Sequence, residues 1–250
     1  MNLKVTGSVG NTILYYPELG STFDMIQSLP PKDGLTVVCS RQTCGSGRMG
    51  RKWESPDGGI YFTFELHEPF NGFDISLITP VCALGVQKAL NKYVQAKIKW
   101  PNDIVSGGKK LCGILTKIRT SGDKITCLFV GIGINANIAK FPAELCHASS
   151  LKLLCGKDID ENTLLEDVLC EINKVYAMRT ADVLAMYKAA CVNMNKEVII
   201  HFADGREDEK GICTDILPDG SMNVQTPKGT INVHSGEVSV KGVYGVSDNC

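Results

Sequence analysis

The sequence predicts an α+β protein in which a mixed β-sheet covered by helices is followed by a small SH3-like β-barrel. The 250 residues are enough for one large and one small domain. Segments with strand period and helix period follow one another as far as Val192. From Glu197 the chain changes to five short strands separated by polar turns, which is typical of a small barrel. We therefore place the domains at residues 1–194 and 195–250.

The first predicted elements are a strand and a short helix. The strand covers Thr12–Tyr16, and Pro17–Gly20 predicts the turn that ends it. Ser21 or Thr22 then caps a helix that continues to Leu29, because either hydroxyl can accept a hydrogen bond from a helix N–H group.

Two further strands and a helix follow. A β-branched run predicts a strand over Leu35–Gln42. Apolar and polar residues alternate along Ile60–Leu66, so we expect that strand to be buried on one face only. The next helix is predicted over residues 76–93, with Thr79 as its N-cap and Pro80 as its first residue.

A glycine loop, Ser40–Trp53, connects the second and third strands and has the sequence SRQTCGSGRMGRKW. Its glycines allow backbone N–H groups to turn toward an anion. Arg48 and Arg51 can add forked hydrogen bonds to phosphate oxygens. The alternative is a mobile basic surface loop without a ligand. The pattern favours phosphate binding.

The stretch Lys97–Ile118 predicts a β-hairpin with charged groups at its corner. Trp100-Pro101 ends a strand, and Gly107-Gly108 forms the hairpin turn. Taken singly, the residues around Asp103 indicate only a tight turn and Lys109-Lys110 only a solvated hairpin end. Together they place one carboxylate and two ammonium groups at the same corner, which suits the handling of a phosphate anhydride.

The rest of the first domain is an apolar strand followed by helices. The strand Lys124–Ala136 contains GIGIN but lacks the third glycine and the following helix of a dinucleotide fingerprint, so we reject that site. Its glycines let the strand pass close to a ligand or to neighbouring backbone. Residues 139–150 are predicted to be irregular. Helices are predicted over Asp160–Met178 and Thr180–Val192, the second capped by its first residue.

Composition excludes several classes of protein. A net charge of −1 provides no electrostatic footprint for nucleic acid or a membrane surface, and we find neither a signal peptide nor a membrane-spanning run. The 11 cysteines include no C-x-x-C pair, and several stand singly among apolar residues, which predicts buried thiols in a reducing, cytosolic compartment. These cysteines are Cys82, Cys112, Cys127 and Cys170. Four histidines lie far apart in sequence and predict no zinc site: His67, His147, His201 and His234.

Four motifs in order carry a resemblance to a known family. They are Gly45–Trp53, Lys99–Asp103 (KWPND), Lys110–Leu115 (KLCGIL) and Val130–Asn135 (VGIGIN), and the similarity begins at Leu19–Thr22 (LGST). Over essentially its whole length the chain resembles a biotin protein ligase, also called biotin–[acetyl-CoA carboxylase] ligase. Its first domain is then similar to the catalytic domain of biotin and lipoate ligases.

The resemblance implies a two-step reaction. Biotin and ATP with Mg²⁺ first form biotinyl-5′-AMP and pyrophosphate. The ε-amine of one lysine on the biotin carboxyl carrier domain of a carboxylase then attacks, releasing AMP. It implies a cytoplasmic protein in which Mg²⁺ arrives with ATP and there is no fixed metal site, no nucleic-acid partner and no membrane partner. Monomer and homodimer both stay open.

The resemblance also assigns roles to individual residues. The catalytic group is Lys110, Arg48 and Asp103. Lys110 would neutralise charge where the carboxyl group meets the phosphate, and Asp103 would contact either Mg²⁺ or the incoming lysine. Biotin would be bound by Ser21, Thr22, Phe23, Gln42, Gly45, Ser46, Gly47, Arg48, Lys110, Gly113 and Gly133. The nucleotide would be bound by Arg48, Arg51, Trp53, Asn102, Lys110 and Asn135.

One position departs from the family, and two other functions compete. Ser46 stands where the family usually has arginine, which leaves open how firmly the loop orders on biotin. No helix-turn-helix precedes Thr12, so we do not expect the repressor role of some relatives. A lipoate protein ligase shares the adenylate chemistry, but its RRxxGGG-like motif is missing. A non-catalytic nucleotide-sensing or SH3-like module would not need Lys110 and Asp103 at one corner.

Overall fold

A computed structural model describes residues 3–70, 73–203, 205–235 and 238–241, and within them the chain forms two β-sheets. The strands of the first sheet are β1 Thr12–Leu19, β2 Leu35–Gln42, β3 Gly59–His67, β4 Lys97–Lys99, β5 Asp103–Ser106, β6 Lys109–Ser121 and β7 Lys124–Asn135. They lie in the order β1-β2-β3-β7-β6-β5-β4. The pair β1–β2 is parallel and the other pairs are antiparallel, so the sheet is mixed as predicted.

Five helices accompany this sheet: α1 Thr22–Ser28, α2 Ile78–Leu90, α3 Leu151–Cys155, α4 Glu161–Tyr176 and α5 Thr180–Ala190. Helices α2, α4 and α5 build the main core on one face of the sheet. Helices α2 and α4 cross so closely that a Cβ added at Gly85 would lie 2.7 Å from the backbone of Ile172. No helix in the described part of the chain is long and apolar enough to cross a membrane.

The second sheet contains the five short strands expected after Glu197. They are β8 Glu197–Phe202, β9 Glu209–Ile216, β10 Met222–Thr226, β11 Gly229–Val233 and β12 Val238–Lys241, in the order β11-β10-β9-β8-β12. Every described pair is antiparallel. Strands β11 and β12 form the two edges, so the described residues make a small antiparallel sheet and not a closed barrel. The sequence also predicts a hairpin turn at Asp204-Gly205, and Asp204 lies outside the described residues.

The third strand differs from its prediction because both of its faces are covered. The polar partners in the alternating pattern of β3 are as buried as the apolar ones: Tyr61 is 1%, Thr63 0% and Glu65 1% exposed. Helix α1 packs against the second face of β2 and β3, with Phe23 and Ile26 in a small core of their own. Alternation therefore indicated a strand correctly, but not which of its faces solvent reaches.

Several predicted element boundaries are wrong. Strand β1 continues through Pro17, where a turn was predicted, because β1 is an edge strand and proline is tolerated there. Thr79 is not the N-cap of α2, as was predicted. A 3₁₀ turn capped by Asp74 leads into α2, which begins before Thr79-Pro80. Helix α5 has Arg179 in the N-cap position, without a side-chain hydrogen bond, and Thr180 is its first helical residue. Among the four cysteines expected to be buried, Cys170 is only half-buried.

Two hydrogen bonds join Trp100 in the first domain to a turn of the second sheet and to the segment that leads into that sheet. Trp100 Nε1 donates to the Gly220 carbonyl oxygen at 3.0 Å, and the Trp100 backbone N–H donates to Asn193 Oδ1 at 2.8 Å. Trp100 is 1% exposed. The turn that ends β4 is therefore covered by residues that follow α5.

Candidate functional site

A cavity of about 340 Å³ opens where the glycine loop, the Trp100–Asp103 turn, β6 and β7 meet. Its size lies within the range of small-molecule sites, roughly 300–1,000 Å³. Most of the residues predicted to bind a ligand line it: Thr22, Phe23, Gln42, Ser46, Gly47, Arg48, Arg51, Trp53, Asn102, Asp103, Lys110, Gly113, Gly133 and Asn135. The motifs meet because each stands at a strand end or on a strand of the same sheet.

The charged corner of the cavity is an ion pair. Lys110 Nζ lies 2.7 Å from Asp103 Oδ1, and the two side chains are only 22% and 11% exposed. The hairpin between them turns at Gly107 and Gly108, whose φ values of 55° and 73° are the left-handed values that glycine adopts without strain. Asp103 is registered opposite Gly113, which has no side chain to block the approach.

A third charged residue, Lys99, lies at this corner and was given no role from the sequence. It is 7% exposed and is registered opposite Asp103 in the β4–β5 pair. Burial lowers the pKa of Lys99 to about 8, although Asp103 acts to raise it; Lys110 and Arg48 lower it further. Strand pairing across the Trp100-Pro101 turn was the signal that could have revealed it. At neutral pH the corner holds two ammonium groups and one carboxylate.

Arg48 joins the glycine loop to the Trp100–Asp103 turn. Its Nη1 donates to Asn102 Oδ1 at 3.0 Å, while Asn102 Nδ2 donates to the Ile114 carbonyl oxygen at 2.7 Å. Burial lowers the pKa of the Arg48 guanidinium, and Asp103 opposes that shift. Arg48 is thus held by a side chain that is itself anchored to β6, which orients it at the mouth of the cavity.

The glycine loop uses part of its backbone to close on itself. Gly47 N–H donates to the Arg51 carbonyl oxygen at 2.7 Å, and Trp53 N–H donates to the Gly45 carbonyl oxygen at 2.9 Å. The Gly47 amide therefore does not point toward an anion in this conformation. Met49 adopts a φ of 55°, an uncommon value for a residue other than glycine, and is 45% exposed.

Trp53 occupies the space above two of the glycines that were predicted to bind biotin. A Cβ at Gly133 would lie 2.3 Å from Trp53 Nε1, and one at Gly113 would lie 2.8 Å from Trp53 Cζ3. Lys110 Nζ lies 5.0 Å from the indole centroid, within the range of a cation–π contact. The indole N–H is buried and has no hydrogen-bond partner among the described residues. The glycines thus shape the cavity through Trp53.

At one end of the cavity, hydrogen bonds fix polar side chains beside the Phe23 ring. Gln42 Oε1 accepts from the Thr22 N–H at 2.9 Å and from Thr22 Oγ1 at 3.1 Å, while Gln42 Nε2 donates to Ser55 Oγ at 3.0 Å. Phe23 lies over Gly131, where an added Cβ would be 2.2 Å from the ring. These contacts hold one amide and one hydroxyl beside an aromatic wall.

Two of the predicted biotin residues do not line the cavity. Ser21 is the N-cap of α1, and its Oγ accepts from the Phe23 N–H at 3.2 Å. Gly45 lies behind the loop, where a Cβ would be 2.4 Å from the Trp53 carbonyl oxygen. Both positions support residues that do line it.

One wall of the cavity comes from the irregular stretch after β7 and was not predicted from the sequence. This wall is formed by Phe141, Leu145, His147 and Ala148. Lys110 N–H donates to the His147 carbonyl oxygen at 2.7 Å, so the stretch runs beside the start of β6. Burial lowers the pKa of His147, and Lys110 and Lys99 lower it further. Nothing in the local pattern of an irregular segment indicates such a position.

Asn135 lines the cavity but is buried and hydrogen-bonded to the protein itself. It is 3% exposed, and its Nδ2 donates to the Ser149 carbonyl oxygen at 2.9 Å. The side chain therefore fastens the irregular stretch to the end of β7. Its contact with a nucleotide stays a prediction.

The known proteins to which this chain is similar are named as ligases. Residues 17–135 match the profile of the biotin/lipoate A/B protein ligase family. The bifunctional ligase/repressor BirA of Bacillus subtilis is 33% identical over 180 residues, which are 68% of this chain and 55% of that protein. A biotin–[acetyl-CoA-carboxylase] ligase of Mycobacterium tuberculosis is 27% identical over 217 residues, 82% of this chain and 79% of that protein. The chain thus spans about half the length of the first of these relatives.

Solved structures agree with the sequence relatives. The biotin protein ligase of Aquifex aeolicus in complex with biotin and ATP superposes with a TM-score of 0.82 and 28% identity. The superposition covers 92% of this chain and 99% of that chain. It therefore extends beyond the residues that match the family profile and includes at least part of the second sheet.

Proposed function

We propose that the protein activates biotin with ATP and transfers it to a carrier protein, because residues 17–135 match the profile of the biotin/lipoate A/B protein ligase family. The product of the first step is biotinyl-5′-AMP, and the acceptor is a lysine on the biotin carboxyl carrier domain of a carboxylase. The observation that carries the proposal is the buried Lys110–Asp103 pair, at 2.7 Å, facing Arg48 inside one cavity. The ligase complex with biotin and ATP supports this choice of substrates.

In the first step a biotin carboxylate oxygen attacks the α-phosphorus of ATP, and the bond to pyrophosphate breaks. Negative charge concentrates where the carboxylate and the phosphate approach. Lys110 and Arg48 approach that region from two sides of the cavity and offset the charge; preorganised cations of this kind act most strongly in a partly buried site. Biotin itself would lie toward Thr22 and Gln42, whose fixed hydroxyl and amide suit the polar ureido ring.

In the second step the neutral ε-amine of the carrier lysine attacks the acyl carbon, an amide forms, and AMP leaves with the former carboxylate oxygen. The carrier lysine first loses a proton to solvent to give this neutral amine, and the new amide nitrogen releases a second proton to solvent as AMP leaves. Asp103 is the carboxylate at the reacting corner, and it would orient the carrier lysine while Lys110 stays on the phosphate oxygens. Arg48 would keep the adenylate in place between the two steps.

Mg²⁺ enters the proposal as part of the substrate MgATP. Two carboxylates line the cavity, and each is already paired with a lysine: Asp103 with Lys110 and Glu54 with Lys52. Mg²⁺ is usually held by one or two carboxylates together with substrate phosphates and seldom by protein ligands alone, so we place no fixed Mg²⁺ site here. The triphosphate would supply most of its ligands.

Further parts of the proposal concern the rest of the protein. We assign residues 195–250 to an SH3-like domain whose role is to support the cavity wall and receive the carrier. We also propose that the protein works in the cytoplasm. Self-association to a homodimer is tested by sedimentation velocity with and without biotinyl-5′-AMP.

Labelled nucleotide tests the function directly. The protein is incubated with [α-³²P]ATP and either biotin or lipoate, and the acyl-adenylate is separated by thin-layer chromatography. We expect a labelled adduct with biotin and none with lipoate. Lys110→Ala should lose adduct formation, whereas Lys124→Ala, which removes an exposed lysine from the neighbouring strand β7, should keep it. An adduct with lipoate alone would reassign the enzyme, and no adduct with either acid would refute ligase activity.

A further inference from the structure

A second cluster of chemically active side chains lies at the far end of β3. It is formed by Glu65, His67 and Cys127, whose ligand atoms all lie within 4.8 Å of one another. Glu65 and His67 are two residues apart on one strand and therefore share a face. His67 is registered directly opposite Cys127 on β7. Tyr61, which pairs with Gly133 at the cavity, is six residues from His67, or about 20 Å along the strand.

The separations within this cluster suit a tetrahedral metal ion. Glu65 Oε2 lies 3.0 Å from His67 Nε2 and 3.8 Å from Cys127 Sγ, and His67 Nε2 lies 3.7 Å from Cys127 Sγ. Zinc bonds of about 2.0–2.1 Å to nitrogen or oxygen and about 2.3 Å to sulfur place tetrahedral ligands roughly 3.3–3.6 Å apart. Each observed separation is close to that range, so small side-chain movements would suffice.

The loop before β2 holds the Glu65 carboxylate and the backbone of His67 in place. Glu65 Oε1 accepts a hydrogen bond from the Lys32 N–H at 2.9 Å, which leaves Oε2 directed at the other two donors. Asp33 Oδ1 accepts from the His67 backbone N–H at 2.9 Å. Anchoring of this kind by neighbouring groups is typical of metal ligands. Glu65 and Cys127 are each 1% exposed, and the His67 side chain is 24% exposed.

The charges around the cluster are balanced for a divalent ion. A carboxylate from Glu65 and a thiolate from Cys127 together offset a charge of 2+. Nearby, the acidic Asp33 and the basic Arg119 carry charges of opposite sign to each other. Arg119 lies on β6 and is registered opposite Cys127. The mixed oxygen, nitrogen and sulfur donors favour Zn²⁺ or Co²⁺ over Mg²⁺ or Ca²⁺, which prefer oxygen alone.

We propose that Glu65 Oε2, His67 Nε2 and Cys127 Sγ bind one zinc-class divalent ion, with water in the fourth position. Binding forms a metal–sulfur bond as the Cys127 thiol loses its proton to solvent, and a protonated His67 loses one as well. The ion would tie β3 and β7 to the loop before β2. Its distance from the cavity makes the site structural, and it stands independently of the ligase activity.

Cobalt provides a direct readout of thiolate coordination. The full-length protein is treated with a chelator, desalted, and titrated with Co²⁺ while absorption spectra are recorded, and Zn²⁺ is then added to displace the cobalt. We expect one Co²⁺ per chain, d–d bands of tetrahedral geometry, and a sulfur-to-cobalt charge-transfer band that Zn²⁺ abolishes. We also expect Zn²⁺ to raise the midpoint of thermal unfolding, because it binds the folded chain.

Matched variants connect those signals to the cluster. Cys127→Ala should abolish the charge-transfer band, and His67→Gln should weaken Co²⁺ binding by about tenfold or more. Cys39→Ala removes another buried thiol from the same sheet and should leave both signals unchanged. If Cys127→Ala does not fold, His67→Gln decides the question, because the partly exposed His67 side chain can be replaced without disturbing the core. Absence of the band in the wild-type protein, or a band and affinity unchanged by His67→Gln, would reduce the cluster to a hydrogen-bonded ion pair.

Discussion

The contact between Trp53 and Gly133 defines the shape of the cavity and can be perturbed by a single methyl group. In Gly133→Ala the new Cβ would lie 2.3 Å from Trp53 Nε1 and 2.7 Å from Cε2. Non-bonded heavy atoms pack at about 3.5–4.0 Å, so the indole must move by more than about 1 Å. The movement would push the ring out of the space between Gly113 and Gly133.

The loop that carries Trp53 determines where this strain appears. Arg51, Lys52 and Glu54 on either side of the indole are exposed, so the ring can withdraw together with its loop. We therefore expect the free energy of unfolding to change by less than about 1 kcal/mol, near the lower end of overpacking effects. Ligand binding must restore the packed loop and bears the remaining cost. A cost of about 1–3 kcal/mol raises the dissociation constant of biotin by about 5- to 150-fold.

Isothermal titration with biotin and urea unfolding measure the two quantities separately. A double-mutant cycle with Trp53→Ala isolates the steric term, because removing the indole removes the clash. The coupling energy between the two changes should be about 1–3 kcal/mol. Gly131→Ala is the matched control for the coupling to Trp53. Its Cβ would meet Phe23 instead, so its effect should be additive with that of Trp53→Ala. Strict additivity of Gly133→Ala with Trp53→Ala would refute the role given to this contact.

Four further changes test the charged corner and its support. Lys110→Ala should reduce biotin-dependent ATP–pyrophosphate exchange by about 10²–10³, the usual effect of losing one preorganised charge, and near-normal exchange would remove Lys110 from the mechanism. Because Lys99 holds its proton only below a pKa of about 8, affinity for ATP should fall as pH rises through 8, and Lys99→Met should flatten that profile. Arg48→Gly should still form biotinyl-AMP but release it about ten- to a hundredfold faster, seen as label on bystander proteins; labelling confined to the carrier would contradict this. Trp100→Phe deletes the hydrogen bond to Gly220 and should lower the free energy of unfolding by about 1–3 kcal/mol in urea; an unchanged midpoint would show that this contact between the two sheets contributes nothing.

The positions of most elements could be predicted from the sequence alone. Strand β2 has the predicted bounds Leu35–Gln42, and α4 begins after Asp160 as expected. The turn at Gly107-Gly108 has the left-handed φ values that its composition predicts. Periodicity, capping and turn chemistry depend on neighbours within a few residues of chain, and these are visible in the sequence. The motifs could be joined into one site because each stands on a strand or at a strand end.

Only the tertiary structure decided which faces are covered and which distant residues meet. Alternation in β3 predicted one exposed face, but α1 covers that face and buries Glu65. His67 and Cys127 are 60 positions apart, and the register of β3 with β7 brings them together. Lys99 and the wall near His147 reach the cavity through strand pairing and through an irregular stretch beside β6. Burial and charge at these positions depend on long-range contacts, and local sequence patterns carry no record of them.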